Sequence, residues 1–415
     1  MAVALAEVLR RFGPQYLRTH ALSTAQARAW RDIVACRTSA LGGQRWACGS
    51  CGAEQWRWHS CGNRHCPRCG SAQREAWRAA RCAELLDVPY CHLVFTLPHE
   101  LNALAAVHAR WVYATLMRCA AQTLNEFAAN PRWLGGIGAF TLVLHTWTQE
   151  LRRHIHVHAL MACGALTQGS DGARWVAPQR SERFLFPVHA LSRVLRAKFC
   201  AALAAAQEQG ALPRDPAASA AQRSARLSTL SRLPWVVYAK TPLAGPVPVL
   251  DYLSRYTRRS AIGAERLIAI KGCQVLLRVR DRARGGGGDR GDTQGRSRIV
   301  AIEGVEFIER FLQHVQPLGF KRIRHYGLLA PAAKAQLLPL ARSLLRMPPP
   351  NRRAAEDAQA FMRRVAGIEI ERCTHCKDGR MQLLHGQRPD AQALAALWPR
   401  LASPLRAHAP CRAPP

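Results

Sequence analysis

The chain has 415 residues and sets 59 lysines and arginines against 27 acidic side chains, a formal net charge of +32. Nearly half of it is hydrophobic, at 48%, so it can bury a sizeable core over two or three domains and is not a disordered polycation. Six of the bases are lysine and 53 are arginine; GC-rich coding explains that preference but not the twofold excess of base over acid, which predicts a polyanionic partner, most simply nucleic acid.

Residues 1–35 read as amphipathic helix broken near Gly13-Pro14, with no secretory apolar segment at the start. No apolar run is long enough to span a bilayer. Together with fifteen cysteines, several in CxxC pairs, this predicts a reducing, cytoplasmic setting with the cysteines as metal ligands rather than disulfides. Residues 46–70 read as a cysteine-rich loop. Cys48-Gly-Ser-Cys51 and Cys66-Pro-Arg-Cys69 are two knuckles at the spacing of a four-thiolate structural zinc site. Cys61 and His65 between them are further zinc candidates. Arg45, Arg57, Arg64, Arg68 and Arg74 surround the knuckles, as expected of a zinc-held module that touches DNA.

A helix is expected over 71–87, then a buried strand at Cys91–Pro98 and a long helical stretch over 100–129. Ala139–Trp147 and the run from His154 to about Leu166 read as an antiparallel strand pair. Within it His154-Ile-His-Val-His158 alternates imidazoles with β-branched residues. Alternate residues of a strand share a face, so the histidines point one way. His156 and His158 are the expected ligands of a divalent cation, and His145 on the preceding strand, Gln149 or Glu150 would supply the third group. A helix near 189–209, an Ala/Ser/Arg stretch and a strand at Pro234–Lys240 follow. Tyr252-Leu-Ser-Arg-Tyr256 spaces two phenols one helical turn apart, with Arg255, Arg258 and Arg259 interleaved to bind phosphates. Strands near 266–280 and 297–302 flank a glycine-rich hairpin tip at 285–292, which lacks the Gly-Lys-Ser/Thr of a phosphate loop. A helix at 304–315 and a linker at Met347–Pro350 precede a final helix and a tail, where Cys373-Thr-His-Cys376 is half of a possible second zinc site, with His375 or His385 as helpers.

A histidine-lined cation with nearby phenols is the equipment of a tyrosine nuclease. The cation, Mg²⁺ or Mn²⁺, polarises the phosphodiester and a tyrosine attacks it. His156-Val-His158, with Leu144-His-Thr-Trp147, Tyr252-Leu-Ser-Arg-Tyr256-Thr-Arg, Ser60-Cys-Gly-Asn-Arg-His-Cys-Pro-Arg-Cys69, Val94-Phe-Thr-Leu-Pro-His-Glu-Leu101 and Phe320-Lys-Arg-Ile-Arg-His-Tyr-Gly-Leu-Leu329, resembles the HUH-type rolling-circle transposases of the insertion-sequence-91 family. The resemblance covers about residues 10–330. It implies an α+β fold with a central antiparallel HUH-endonuclease-like sheet (89–330), an N-terminal helical and zinc-binding domain (1–88) and a C-terminal helical region with a CxxC (331–415). It also implies Tyr252 and Tyr256 as nucleophiles forming a 5′-phosphotyrosine, His156 and His158 as metal ligands, structural Zn²⁺, and as partner DNA, in the form of single-stranded or hairpin element ends and target, in a bacterial nucleoid. The alternatives are a zinc-dependent DNA-binding regulator and a nickase of the replication-initiator or relaxase type.

Overall fold

The computed structural model describes residues 3–170, 172–178, 185–217, 219–240, 261–280, 297–350 and 356–399. In chain order, helices α1 (Leu5–Thr19) and α2 (Thr24–Ala35) precede the hairpin of β1 (Gly43–Cys48) and β2 (Glu54–Trp58), helix α3 (Ser71–Cys82) and strand β3 (Tyr90–Thr96). Helices α4 (Asn102–Val107) and α5 (Ala109–Ala129) lead into β4 (Ile137–Trp147) and β5 (Arg153–Gly169). Next come β6 (Gly172–Val176), α6 (Val188–Glu208), α7 (Ala220–Arg232) and β7 (Val237–Ala239). The second half carries β8 (Leu267–Lys271), β9 (Gln274–Arg280), β10 (Ser297–Glu303), α8 (Gly304–Leu312) and β11 (Ile323–Gly327). It closes with α9 (Lys334–Leu344), α10 (Ala358–Ala366), β12 (Met381–Gln387) and α11 (Ala391–Ala396). No described helix is long and apolar enough to cross a membrane.

The central antiparallel sheet runs β11-β4-β5-β3-β7, with β6 paired to the far half of β5. Strict alternation in β4 and β5 divides it into two faces. Phe140, Leu142, Leu144, Ile155, Val157, Ala159 and Met161 point into a core completed by α5 and α6. Ala139, Leu160, Ala162 and Leu166 point the other way, where one end of the sheet is covered by Trp77 of α3 and by Leu338 and Ala341 of α9. The histidines occupy the other end of this second face.

Two smaller sheets complete the α+β architecture. In β8-β9-β10 the stretch expected as one strand over 266–280 is two, because Gly272, at φ +54°, turns the chain between them. The glycine-rich tip at 285–292 lies outside the described residues. Val275, Leu277 and Val279 of this sheet and Phe307, Ile308 and Phe311 of α8 share a core with Leu5, Leu9, Phe12 and Trp30 of α1 and α2. The N-terminal helices therefore rest on residues some 270 positions later rather than on the cysteine segment alone. In β12-β1-β2 the segment expected to be loop-like forms a hairpin. Its outer partner is β12, which runs antiparallel to β1 from Gly43 opposite Gln387 to Cys48 opposite Met381. The region after 331 carries helices as expected, and also this strand. The Ala/Ser/Arg stretch folds as α7, started by a capping box between Ser219 and Gln222.

The exit from β11 depends on one glycine. Gly327 has φ +60°, and a Cβ on it would overlap the Gly138 carbonyl. Gly327→Ala is expected to lower stability by about 2–4 kcal/mol, read as a reduced midpoint in chemical denaturation with an unchanged slope.

Candidate metal centres and active site

The β4–β5 register places His145 directly opposite His156, and Val143 opposite His158. The ligand nitrogens of His145, His156 and His158 all lie within 4.8 Å of one another. Two of the rings are oriented by their other nitrogen. The Nδ1 of His156 lies 3.0 Å from the His154 carbonyl; a carbonyl only accepts, so Nδ1 carries the proton and the Nε2 lone pair is left for a cation. The Nδ1 of His158 meets the Nε2 of His92, on β3, at 2.9 Å. His145 is buried and stacked on Trp147, with ring centroids 4.6 Å apart. Burial, reinforced by His145, His156 and His92, holds the His158 imidazole far below its ordinary pKa. Burial also brings His92 down to about 3. His92 and His158 are therefore neutral at physiological pH, and neutral imidazole is the form that binds metal.

The other two candidates for the third ligand are engaged elsewhere. The Oε1 of Gln149 accepts from the Arg280 backbone N–H at 2.6 Å, and Glu150 pairs with Arg298 at 2.5 Å, so both tie the β4–β5 turn to the β8–β10 sheet. The turn is pinned from beneath as well. Leu151, fully buried at φ +59°, accepts at its carbonyl from Gln313 Nε2 at 2.7 Å and from His314 Nε2 at 2.9 Å. His92, which orients His158, was not singled out from the sequence; its only cue is a polar residue inside the apolar strand Cys91–Pro98. Tyr252, Tyr256, Arg255, Arg258 and Arg259 lie outside the described residues.

The cysteines regroup. Cys48, Cys51, Cys66 and Cys69, expected as one site, fall into two separate quartets: Cys36, Cys61, Cys66 and Cys69 in one, and Cys48, Cys51, Cys373 and Cys376 in the other. The β1–β2 hairpin carries its knuckle away from the second one and toward the C-terminal CxxC, which β12 brings alongside. Cys36 at the end of α2 and Cys61 complete the first quartet. His65 is not in that cluster: it is half-buried, and its Nε2 accepts the Gln316 backbone N–H at 3.4 Å.

Both quartets suit zinc. Four thiolates at Zn–S distances of ~2.3 Å in a tetrahedron stand ~3.8 Å apart. The sulfur separations are 3.4 Å for Cys36–Cys69, 3.6 Å for Cys61–Cys69 and 3.7 Å for Cys36–Cys66. In the second quartet they are 3.7 Å for Cys48–Cys376 and 3.8 Å for Cys51–Cys373. A disulfide would need about 2 Å. Backbone N–H groups of Ser50, His375 and Gly379 point at Cys48, Cys373 and Cys376 Sγ at 3.3–3.4 Å, as negative sulfurs require. Sharing of protons among the sulfurs, led by Cys61, pulls Cys36 down to about 7, and sharing led by Cys36 pushes Cys61 up. A dication would let all four ionise together.

Comparison with known proteins agrees with this chemistry. A family model described as "Transposase zinc-binding domain" matches residues 8–97, and one described as "Putative transposase" matches residues 138–336. The Sinorhizobium fredii (strain NBRC 101917 / NGR234) protein named "Putative transposase y4qJ" is 40% identical over 385 residues, 91% of this chain and 94% of its own. The chain belongs to the insertion-sequence-91 family of transposases. A second relative, "Transposase for insertion sequence element IS801" of Pseudomonas savastanoi pv. phaseolicola, is 28% identical over 357 residues, 83% of this chain and 80% of its own. No solved structure matches. The family's zinc-binding domain holds six of the eight quartet cysteines of this transposase, while Cys373 and Cys376 come from beyond both matched regions.

Purified transposase is expected to contain two equivalents of zinc by plasma mass spectrometry. Cys373→Ser with Cys376→Ser should leave one, whereas Cys61→Ser with Cys66→Ser should remove the other.

Proposed function

We propose that this transposase cuts and rejoins single DNA strands through a tyrosine. The observation that carries the reading is the convergence of three imidazole nitrogens from two neighbouring strands at one point on the sheet. The donor set fits a divalent cation: two buried rings and the half-buried His156, presented by one hairpin, with His156 and His158 each oriented by a partner at the opposite nitrogen. Mg²⁺ or Mn²⁺ held by His145, His156 and His158 would polarise the scissile phosphodiester and neutralise charge building on its oxygens.

The nucleophiles we assign are Tyr252 and Tyr256, on the strength of the family pattern. Lys240, the last described residue before their segment, donates its backbone N–H to the carbonyl of His92 at 2.9 Å. The phenol oxygen attacks phosphorus and the bond from phosphorus to the 3′ oxygen breaks. The leaving strand departs as a 3′-hydroxyl, and the 5′-phosphate stays on the tyrosine. Attack by a 3′-hydroxyl on that phosphotyrosine restores a phosphodiester and frees the phenol, so the number of ester bonds is conserved and no ATP is needed. A second tyrosine lets one strand end be held while another is cut, as suits a rolling-circle route. Arg255, Arg258 and Arg259 would bind flanking phosphates, and the DNA partners are single-stranded or hairpin ends of the element and the target.

With Mg²⁺ or Mn²⁺, a single-stranded oligonucleotide carrying the element's end is expected to become covalently attached to the protein, seen as a shifted band on a denaturing gel. His156→Ala with His158→Ala should cut adduct yield at least ~100-fold while leaving DNA binding in place. Tyr252→Phe with Tyr256→Phe should abolish the adduct. An unshifted band for the wild-type chain with cognate DNA refutes the mechanism.

The charge makes a separate prediction. Each phosphate neutralised on a single strand contributes about −0.7 to the slope of log affinity against log salt, so DNA binding should weaken steeply as salt rises, as measured by fluorescence anisotropy.

A further inference from the structure

A basic groove opens beside the histidine site on the same face of the sheet. One wall is the loop of the first cysteine quartet, with Arg64. A second is α3, with Arg74 and Trp77, and the third is the approach to β11, with Lys321 and Arg322. Its floor is Ile323 and His325, and no acidic residue lines it. The acidic residues nearest in sequence are turned elsewhere: Glu75 pairs with Arg78 and Arg364, and Glu84 with Arg81 and Lys334.

The sheet register fixes where this groove leads. Ile323 pairs with Val143, and Val143 pairs with His158. His325 pairs with Thr141, and Thr141 with Leu160. Directly paired residues share a face, so the groove floor and the metal-ligating histidines belong to one surface. Two strand spacings, ~10 Å, separate Ile323 from His158. The floor is uncharged: burial, with Arg81 and Lys334 nearby, holds His325 down to about 4, and its nitrogens are engaged by Arg81 at 2.9 Å and Thr141 at 2.8 Å. The walls are therefore cationic, the floor is neutral, and the indole of Trp77 stands at the side. A positive track beside an aromatic ring is how proteins hold a single strand, the charges following phosphates and the ring stacking a base.

We infer that this groove between the first zinc knuckle and β11 is the track along which single-stranded DNA reaches the histidine site, with Arg64, Arg74, Lys321 and Arg322 on its phosphates and Trp77 against a base. The inference rests on the DNA reading above and adds the surface that delivers the strand. It also gives the first cysteine quartet a role in addition to stability, since its loop is one wall.

The test uses the full-length, zinc-loaded chain, with a mixed-sequence single-stranded oligonucleotide and its duplex as probes. Arg74 and Lys321 are exposed, so Arg74→Ala with Lys321→Ala removes two groove charges without disturbing the core. Arg193→Ala with Arg232→Ala, exposed positions on α6 and α7, removes the same charge from the helices over the opposite face. The groove pair is expected to weaken single-strand binding about tenfold and to flatten the salt slope by about 1.4, two phosphates' worth. The control pair should change neither measurably. Trp77→Ala should weaken single-strand binding at high salt, where stacking outlasts charge. Equal effects of the two pairs, or preference of the wild-type chain for duplex, overturn the groove. Either result leaves the covalent adduct of the preceding section intact, whereas loss of all DNA binding by the wild-type chain would fall on that reading itself.

Discussion

Antiparallel pairing of β4 with β5 in a single register is the constraint on which the candidate active site depends. Slipping it by one residue would turn His156 and His158 into the core beside α5 and carry Ile155 and Val157 out of it. The cost of that exchange is set by the apolar face, where Phe140, Leu142, Leu144, Ile155 and Val157 are each 0–1% exposed. Burying a side chain of this size contributes roughly 1.5–3 kcal/mol. The hydrophobic face thus specifies the position of the polar one. At the tip, Leu151 and Glu150 bind the hairpin to the residues that close α8 and to the β8–β10 sheet, so the candidate ligands stand on a hairpin fixed at its tip.

The sulfur sites work at longer range. Cys48 and Cys51 meet Cys373 and Cys376 across more than 300 residues of chain, and β12 pairs with β1 along the same junction. A metal there opposes separation of the C-terminal segment from the N-terminal hairpin, as loop closure by any cross-link does. The first quartet is local by comparison. It fastens the end of α2 to the Cys61–Cys69 loop and so sets that loop beside β11, where Arg64 donates to the Phe320 carbonyl at 2.9 Å. The second site is a small region with little apolar core of its own, which is where structural zinc substitutes for hydrophobic burial, whereas the first adjoins the core of α1, α2 and α8.

The positive charge is distributed over the fold rather than gathered in one run. Part of it is neutralised internally, as where Arg226 forks onto Asp215 beneath α7 or Arg310 meets Glu306 on α8. Around the groove no acid intervenes among the lining residues. That local imbalance, more than the net total, makes one face of the sheet suited to a polyanion.

Local pattern was enough to read much of this molecule. Alternation in His154–His158 placed the imidazoles on one face, and apolar period located β3, β4, β5 and α6 to within a few residues, because each of these is dictated by neighbours in the chain, whereas the single helix expected over 100–129 is two, α4 and α5, parted at His108. Pairing between distant elements was not legible. Two knuckles fourteen residues apart looked like one site, since spacing alone cannot say that the β1–β2 hairpin turns Cys48 and Cys51 toward Cys373 and Cys376. Cys36 stands alone in the sequence and becomes a ligand only where α2 ends. Among the described candidates for the third ligand, His145, Gln149 and Glu150 were equivalent by position in the chain, and the strand register separated them by facing His145 to His156 and the other two to a different sheet. The sequence determined which chemistry was present, because residue type and period are local properties. Tertiary structure decided which groups share one point in space, because contacts between strands and between chain ends depend on how the whole core packs.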